Sequence, residues 1–195
     1  TGFGGYIDEH ANAELESLVL RRFLEVPELR YNRVEVKVGD TFFIPAGTVH
    51  ALGKGIEVLE IQQTSDITYR IYDWNRVDDK GNARELHTAL AVDAIDFASD
   101  KDKCIMRYEA KKNASTQMVK CDYFTTNIVE LEGSTERELE SIDSFVLYIC
   151  AEGEADVCMG DSKEHLEPFD LVMIPAEADS VKLCGNAKLL EVYIE

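Results

Sequence analysis

The 195-residue chain predicts a mainly β protein: two jelly-roll barrels in tandem, the first incomplete, with a few short helices. Three observations predict it. Short runs rich in β-branched and aromatic residues alternate with turn signals at regular spacing, which favours an antiparallel sandwich or barrel over a parallel sheet. Residues 39–70, GDTFFIPAGTVHALGKGIEVLEIQQTSDITYR, set an apolar run against a Pro45-Ala46-Gly47 corner and resume an apolar run at Val49. Proline presets one turn dihedral there and glycine accepts a positive one. Finally, DTFFIPA at 40–46 returns as DLVMIPA at 170–176, and Gly55 returns as Gly185, at a constant offset of 130.

Taken in order, the chain starts at Thr1 with Gly2-Phe3-Gly4-Gly5-Tyr6, a pattern like the end of a strand entering a turn, so earlier strands of the first barrel are expected ahead of it. Over 13–26, Leu15, Leu18, Val19, Phe23 and Val26 recur at intervals of three and four and Pro27 closes the run, which predicts an amphipathic helix packed across a barrel. His10 and the Arg21-Arg22 pair read as solvated, with ligand contact by the arginines the lesser alternative. Strands are predicted over 33–38, 41–44, 49–52, 56–63 and 67–73, then a polar surface loop over 75–82 and a short helix over 87–97. The charged run 99–103 reads as a linker. Beyond it, strands over 118–130, 145–151, 155–159, 171–174 and 189–194 predict a second small jelly roll. The domains are therefore expected at 1–100 and 104–195.

Composition narrows the function. A hydrophobic content of 45% builds a core, and a net charge of −18 repels a phosphate backbone, so nucleic acid is excluded as a partner. The cysteines at 104, 121, 150, 158 and 184 form no CxxC pair and are odd in number, so they read as reduced packing residues of a cytoplasmic protein. No apolar segment approaches the roughly 20 residues that span a bilayer, and no signal peptide is visible, so no membrane partner is expected. Nothing in the pattern fixes an oligomeric state.

The chemistry centres on His50, which follows the corner at once. A lone histidine at such a turn is ordinarily a hydrogen-bonded side chain. In strand 67–73, alternation puts Asp66, Thr68, Arg70 and Tyr72 on one side and Ile67, Tyr69 and Ile71 on the other, which fits either the lining of a site or a solvated face.

The spacing Gly39, Pro45, Gly47, His50 resembles the second conserved motif of the cupin superfamily. The continuation Glu60-Ile61-Gln62-Gln63-Thr64-Ser65-Asp66, then Tyr69-Arg70-Ile71-Tyr72-Asp73 and Arg84-Glu85-Leu86-His87, is similar to class I mannose-6-phosphate isomerases of the short bacterial form. That resemblance implies cupin-type barrels, with residues 1–100 the C-terminal part of a metal-binding cupin domain carrying an inserted helix. It implies a zinc-dependent enzyme of carbohydrate metabolism that interconverts mannose 6-phosphate and fructose 6-phosphate through a cis-enediol. A small-molecule sugar phosphate is the implied partner. His50 would be one zinc ligand; the family's Gln-x-His pair and glutamate are absent and expected upstream of Thr1, so the chain by itself is expected to be inactive. Arg70 matches the family's active-site arginine, and Glu60 and Asp66 match acidic residues of the same pocket. Either of the two could serve as base or orient Arg70. His87 reads as structural. In the second copy Ser180 stands at the place of His50 and Glu177 at that of Gly47, so residues 104–195 are expected to lack a metal site. Two other readings stay open: a non-enzymatic sugar-binding or regulatory cupin module, and a purely structural supporting piece.

Overall fold

The computed structural model describes the backbone of residues 6–7 and 13–14, and residues 34–53, 55–64 and 68–194. The chain divides into two units: Thr1–Val38, Ile44–Val58 and Thr64–Cys104 form one, and Gly39–Phe43, Leu59–Gln63 and Ile105–Glu195 the other.

The second unit carries most of the regular structure. Short strands β3 (Thr41–Phe42) and β4 (Ile105–Met106) pair with each other. The main sheet is antiparallel, in the order β5 (Ser115–Lys120), β6 (Thr125–Glu138), β10 (Ser180–Tyr193), β7 (Val146–Met159) and β8 (Ser162–Leu166), with β9 (Leu171–Ile174) added beside β7. β10 is the centre, hydrogen-bonded to β6 from Ser180↔Glu138 to Tyr193↔Thr125 and to β7 on its other side. Alternation sends Val129 and Leu131 of β6, Val181, Leu183 and Leu189 of β10, and Tyr148 of β7 to one face, where they join a single buried cluster with Leu166 and Ile174.

One face can bury itself because the sheet turns a corner at glycines. Gly153 (φ 80°) and Gly185 (φ 139°) take backbone angles that a side chain resists, and a Cβ on either would lie 2.1 Å from the Asn186 carbonyl oxygen or 2.4 Å from that of Glu154. Beside the corner, register shifts between Lys188 and Leu189, leaving Ala151 as the extra residue of β7. That bulge switches the inward residues of β7 from Val146, Tyr148 and Cys150 to Ala155 and Val157. Two strands expected at 145–151 and 155–159 are thus one bent strand. Likewise 118–130 is two strands joined by a turn, β10 begins well before 189, β8 was not foreseen, and β9 falls where expected.

In the first unit, β1 (Tyr6–Ile7) pairs with β2 (Ala13–Glu14), so the expected helix does not start at Ala13; the rest of 15–26 lies outside the described residues, as do His10, Arg21 and Arg22. α1 (Thr88–Ala94) is the shorter core of the helix expected over 87–97, and α2 (Lys101–Cys104) occupies part of the expected linker. The strands expected at 49–52, 56–63 and 67–73, and at 34–38 within 33–38, are not strands among the described residues. A strand persists only when its backbone groups find a ladder partner. Among the described residues no strand pairs with these segments, and Val49, Leu52, Val58 and Leu59 stay exposed. Burial over 68–73 rises steadily to Asp73 instead of alternating.

The repeat is visible in geometry as well as sequence. The Thr48 amide donates to the Pro45 carbonyl at 3.2 Å, and 130 residues on the Ala178 amide donates to that of Pro175 at 3.2 Å. Gly39 has φ 90° and Phe169, at the same offset, has φ 76°.

Candidate functional site

The corner before His50 is docked on the end of α1. Gly47 (φ 84°) accepts at its carbonyl from the Asp96 amide at 2.9 Å, and a Cβ on Gly47 would meet the Ala94 carbonyl oxygen at 2.8 Å. Thr48 Oγ1 lies 3.1 Å from Ser99 Oγ. These contacts hold the segment that carries His50, whose ring is exposed and whose Nδ1 sits 2.9 Å from the Thr48 carbonyl oxygen. A carbonyl only accepts, so Nδ1 carries the proton and Nε2 presents its lone pair outward. That tautomer leaves Nε2 free to bind a metal, with the other N–H held by a backbone carbonyl. His50 is thus held so that Nε2 could ligate a metal. Among the described residues no group of three or more His, Cys, Asp or Glu side chains could hold a metal.

Arg70 is half-buried and fixed through His87. Its amide donates to His87 Nδ1 at 3.1 Å, its carbonyl accepts from the His87 amide at 2.7 Å, and its Nη1 donates to the Glu85 carbonyl at 3.3 Å. An amide spent on a ring nitrogen is not available to a ladder. His87 in turn accepts the Ala91 amide at its carbonyl, opening α1, and stacks at a tilt on Tyr69 with ring centroids 6.3 Å apart. These bonds tie the Arg70 backbone to the start of α1. Glu60 is exposed, on the Leu59–Gln63 segment, and makes no hydrogen bond or ion pair with the described residues. Asp66 lies outside the described residues. The structure brings Arg70 together with His87 and joins neither His50 nor Glu60 to Arg70 by a hydrogen bond.

Two ionic groupings escaped the sequence reading. Asp73, nearly buried, takes Arg84 bidentately: Nε donates to Oδ2 at 2.6 Å and Nη2 donates to Oδ1. Arg84's hydrogen bonds, ahead of its charge, hold the Asp73 carboxyl below the usual carboxylate range. In the second unit Glu191 is fully buried in the lumen and accepts from Ser115 Oγ at 2.6 Å, Tyr148 Oη at 2.8 Å, Asn127 Nδ2 at 3.0 Å, and Arg137 Nε and Nη2 at 3.0 Å each. Burial pushes its carboxyl up, but the Arg137 bonds and charge with the Ser115 and Asn127 bonds outweigh that and leave it below normal. Burial and the Glu191 carboxylate push the Tyr148 phenol well up. The signal was there: Glu191 is the lone charge in the apolar run LLEVYI.

A glycine-cornered antiparallel sheet closing one face around a filled lumen is a cupin-type jelly roll, and residues 114–194 match the family model of the mannose-6-phosphate isomerase cupin domain. Mannose-6-phosphate isomerase ManA of Bacillus subtilis (strain 168) is 38% identical over 166 residues, 83% of this chain and 51% of that protein. The mannose-6-phosphate isomerase of Streptococcus mutans is 30% identical over 158 residues, 81% of this chain and 49% of that one. Among solved structures, the mannose 6-phosphate isomerase from Bacillus subtilis superposes with a TM-score of 0.56 at 29% identity, covering 67% of this chain and 41% of that chain. The chain is similar to the cupin-type mannose-6-phosphate isomerases, and residues 114–194 match their cupin domain. It spans about half the length of the curated relatives it matches.

Proposed function

We propose that the protein is a zinc-dependent mannose-6-phosphate isomerase that interconverts mannose 6-phosphate and fructose 6-phosphate by moving a proton between C1 and C2 through a cis-enediol. The observation that carries this reading is the 38% identity to the Bacillus subtilis isomerase over 83% of the chain. His50 would hold the zinc through Nε2, with further ligands from outside the described residues. When bound, the metal would supply Lewis-acid polarisation of a substrate oxygen. Arg70, its backbone fixed by His87 and its Nη1 by Glu85, would place a guanidinium beside the enediol oxygen as negative charge develops there. Glu60 or Asp66 would take the C2 proton. With one ligand among its described residues, the 195-residue chain alone would bind zinc weakly and turn over little.

Residues 104–195 would act as a supporting domain, in a cytoplasmic protein whose five cysteines are all free thiols. Among the described residues no helix is long and apolar enough to cross a membrane. A second reading, a non-enzymatic sugar-binding or regulatory cupin, draws support from the lumen of the second unit, filled by Glu191 and its partners, with Ser180 where the first copy has His50.

The test is an isomerase assay on the protein at its native length. Chelation should abolish turnover and zinc restore it, and Arg70→Ala should lower kcat by about 100-fold or more with melting unchanged. Activity insensitive to chelator, or an Arg70→Ala variant as fast as the parent, overturns the assignment.

A further inference from the structure

Arg84 pairs with Asp73, and Arg70 and Arg76 stand three residues to either side of that carboxylate along a chain of net charge −18. Asp73 takes Arg84, one charge for one charge. Arg70 and Arg76 also act on Asp73 through space, so both lie within electrostatic reach of it. Neither is paired with a carboxylate among the described residues. Arg70 donates to a carbonyl, and the exposed Arg76 guanidinium makes no hydrogen bond or ion pair with the described residues. The nearby Asp78 carboxylate is turned into its own loop, accepting from the Lys80 and Asn82 amides and from Asn82 Nδ2.

The backbone between these cations is unusual. The Arg76 amide donates to the Asp73 carbonyl at 2.9 Å, closing a turn whose central residues, Trp74 (φ 53°) and Asn75 (φ 52°), are both left-handed without glycine. A bulky aromatic in that region is an outlier, and such outliers concentrate at functional loops. Two braces keep it there: the Asp73–Arg84 pair below, and the Tyr72 ring edge-on to Trp74 at 5.3 Å and 70°. The indole is left 38% exposed two residues from Arg76. An apolar ring face suits the carbon skeleton of a sugar, and a guanidinium fork suits a phosphate.

We propose that the turn at 73–76 is a phosphate-ester subsite in which Arg76 takes the phosphate and Trp74 underlies the sugar carbons. This rests on the sugar-phosphate reading above, and Arg70 keeps its place at the reacting end. Asp73 and Arg84 are the brace.

Trp74 is the single tryptophan, so its fluorescence reports on the turn directly. The chain is titrated with inorganic phosphate, mannose 6-phosphate and mannose. Mannose 6-phosphate should quench or shift the emission, inorganic phosphate should do so more weakly, and mannose should do nothing at equal concentration. Arg76→Ala should raise Kd for both phosphates roughly tenfold or more, with Arg76→Lys between. By calorimetry, Trp74→Phe should weaken mannose 6-phosphate and leave inorganic phosphate unchanged. Arg76 is exposed and makes no ion pair among the described residues, so its variants should melt with the parent. Mannose 6-phosphate binding unaltered by Arg76→Ala and Trp74→Phe, or no phosphate binding at all, overturns the subsite. Arg76-dependent phosphate binding, with no isomerase activity in the zinc-loaded protein at its native length, supports the subsite and sinks the reaction; full activity at native length with Arg76-independent binding does the reverse.

Discussion

At the residue scale, the second unit is organised by Glu191. A carboxylate with 0% exposure is tolerable because every donor around it is aimed at it, and Arg137 brings the opposite charge from 54 residues away. Removing the cation while leaving the anion should therefore cost more than removing both. Arg137→Ala should lower stability by about 3 kcal/mol, the low end for a broken buried pair since Arg137 keeps some solvent contact, and pairing it with Glu191→Leu should recover part of the loss. Urea denaturation of the three variants measures this; equal losses for the single and double variants would show that the charge pairing is not what matters.

At the scale of elements, the glycine corner decides whether a flat sheet becomes a barrel. Gly153 and Gly133 both have φ 80°, yet a Cβ on Gly153 would run into the Asn186 carbonyl and one on Gly133 meets nothing within 4 Å. Gly133→Ala should cost only the left-handed strain, roughly 1–2 kcal/mol, and Gly153→Ala clearly more, because backbone must move. Similar melting temperatures for the two would contradict the close approach. The same corner marks where sequence was readable and where it was not. β9 and the turn at Pro175 were legible because DLVMIPA is an apolar run ended by a proline, all local chemistry. Gly153 read as a break between two strands, since a glycine that bends a strand and one that ends it look alike in one dimension. Over 49–63 the side-chain pattern is that of strands, and the pattern carried no information about whether a neighbour is present to pair with. His50 was found through its spacing from Pro45 and Gly47. Asp73 and Arg84 went unnoticed, because pairing across 11 residues by way of a turn and a hairpin leaves no periodic trace.

For the whole molecule, acid relieves the repulsion of the net charge of −18 but removes what the buried carboxylate contributes. Glu191 has a folded-state pKa below its ordinary 4.5, so the stability it lends is fully present above about that pH and is lost as pH falls through the lower folded value. Asp73 has the same sign in the other unit. Melting followed by near-ultraviolet circular dichroism should decline below about pH 5, with Glu191→Gln flattening the acid limb of the second unit. An unchanged acid limb in that variant would move the titration elsewhere.

The proline turn shared by the two halves has a use outside this reaction. Its path is kept while the residues hung on it differ, so the rigid half is a ready chassis for grafting. An imidazole introduced by Ser180→His would find the Ala178 carbonyl where His50 finds that of Thr48, and a coordination sphere could be engineered around it without redesigning the loop.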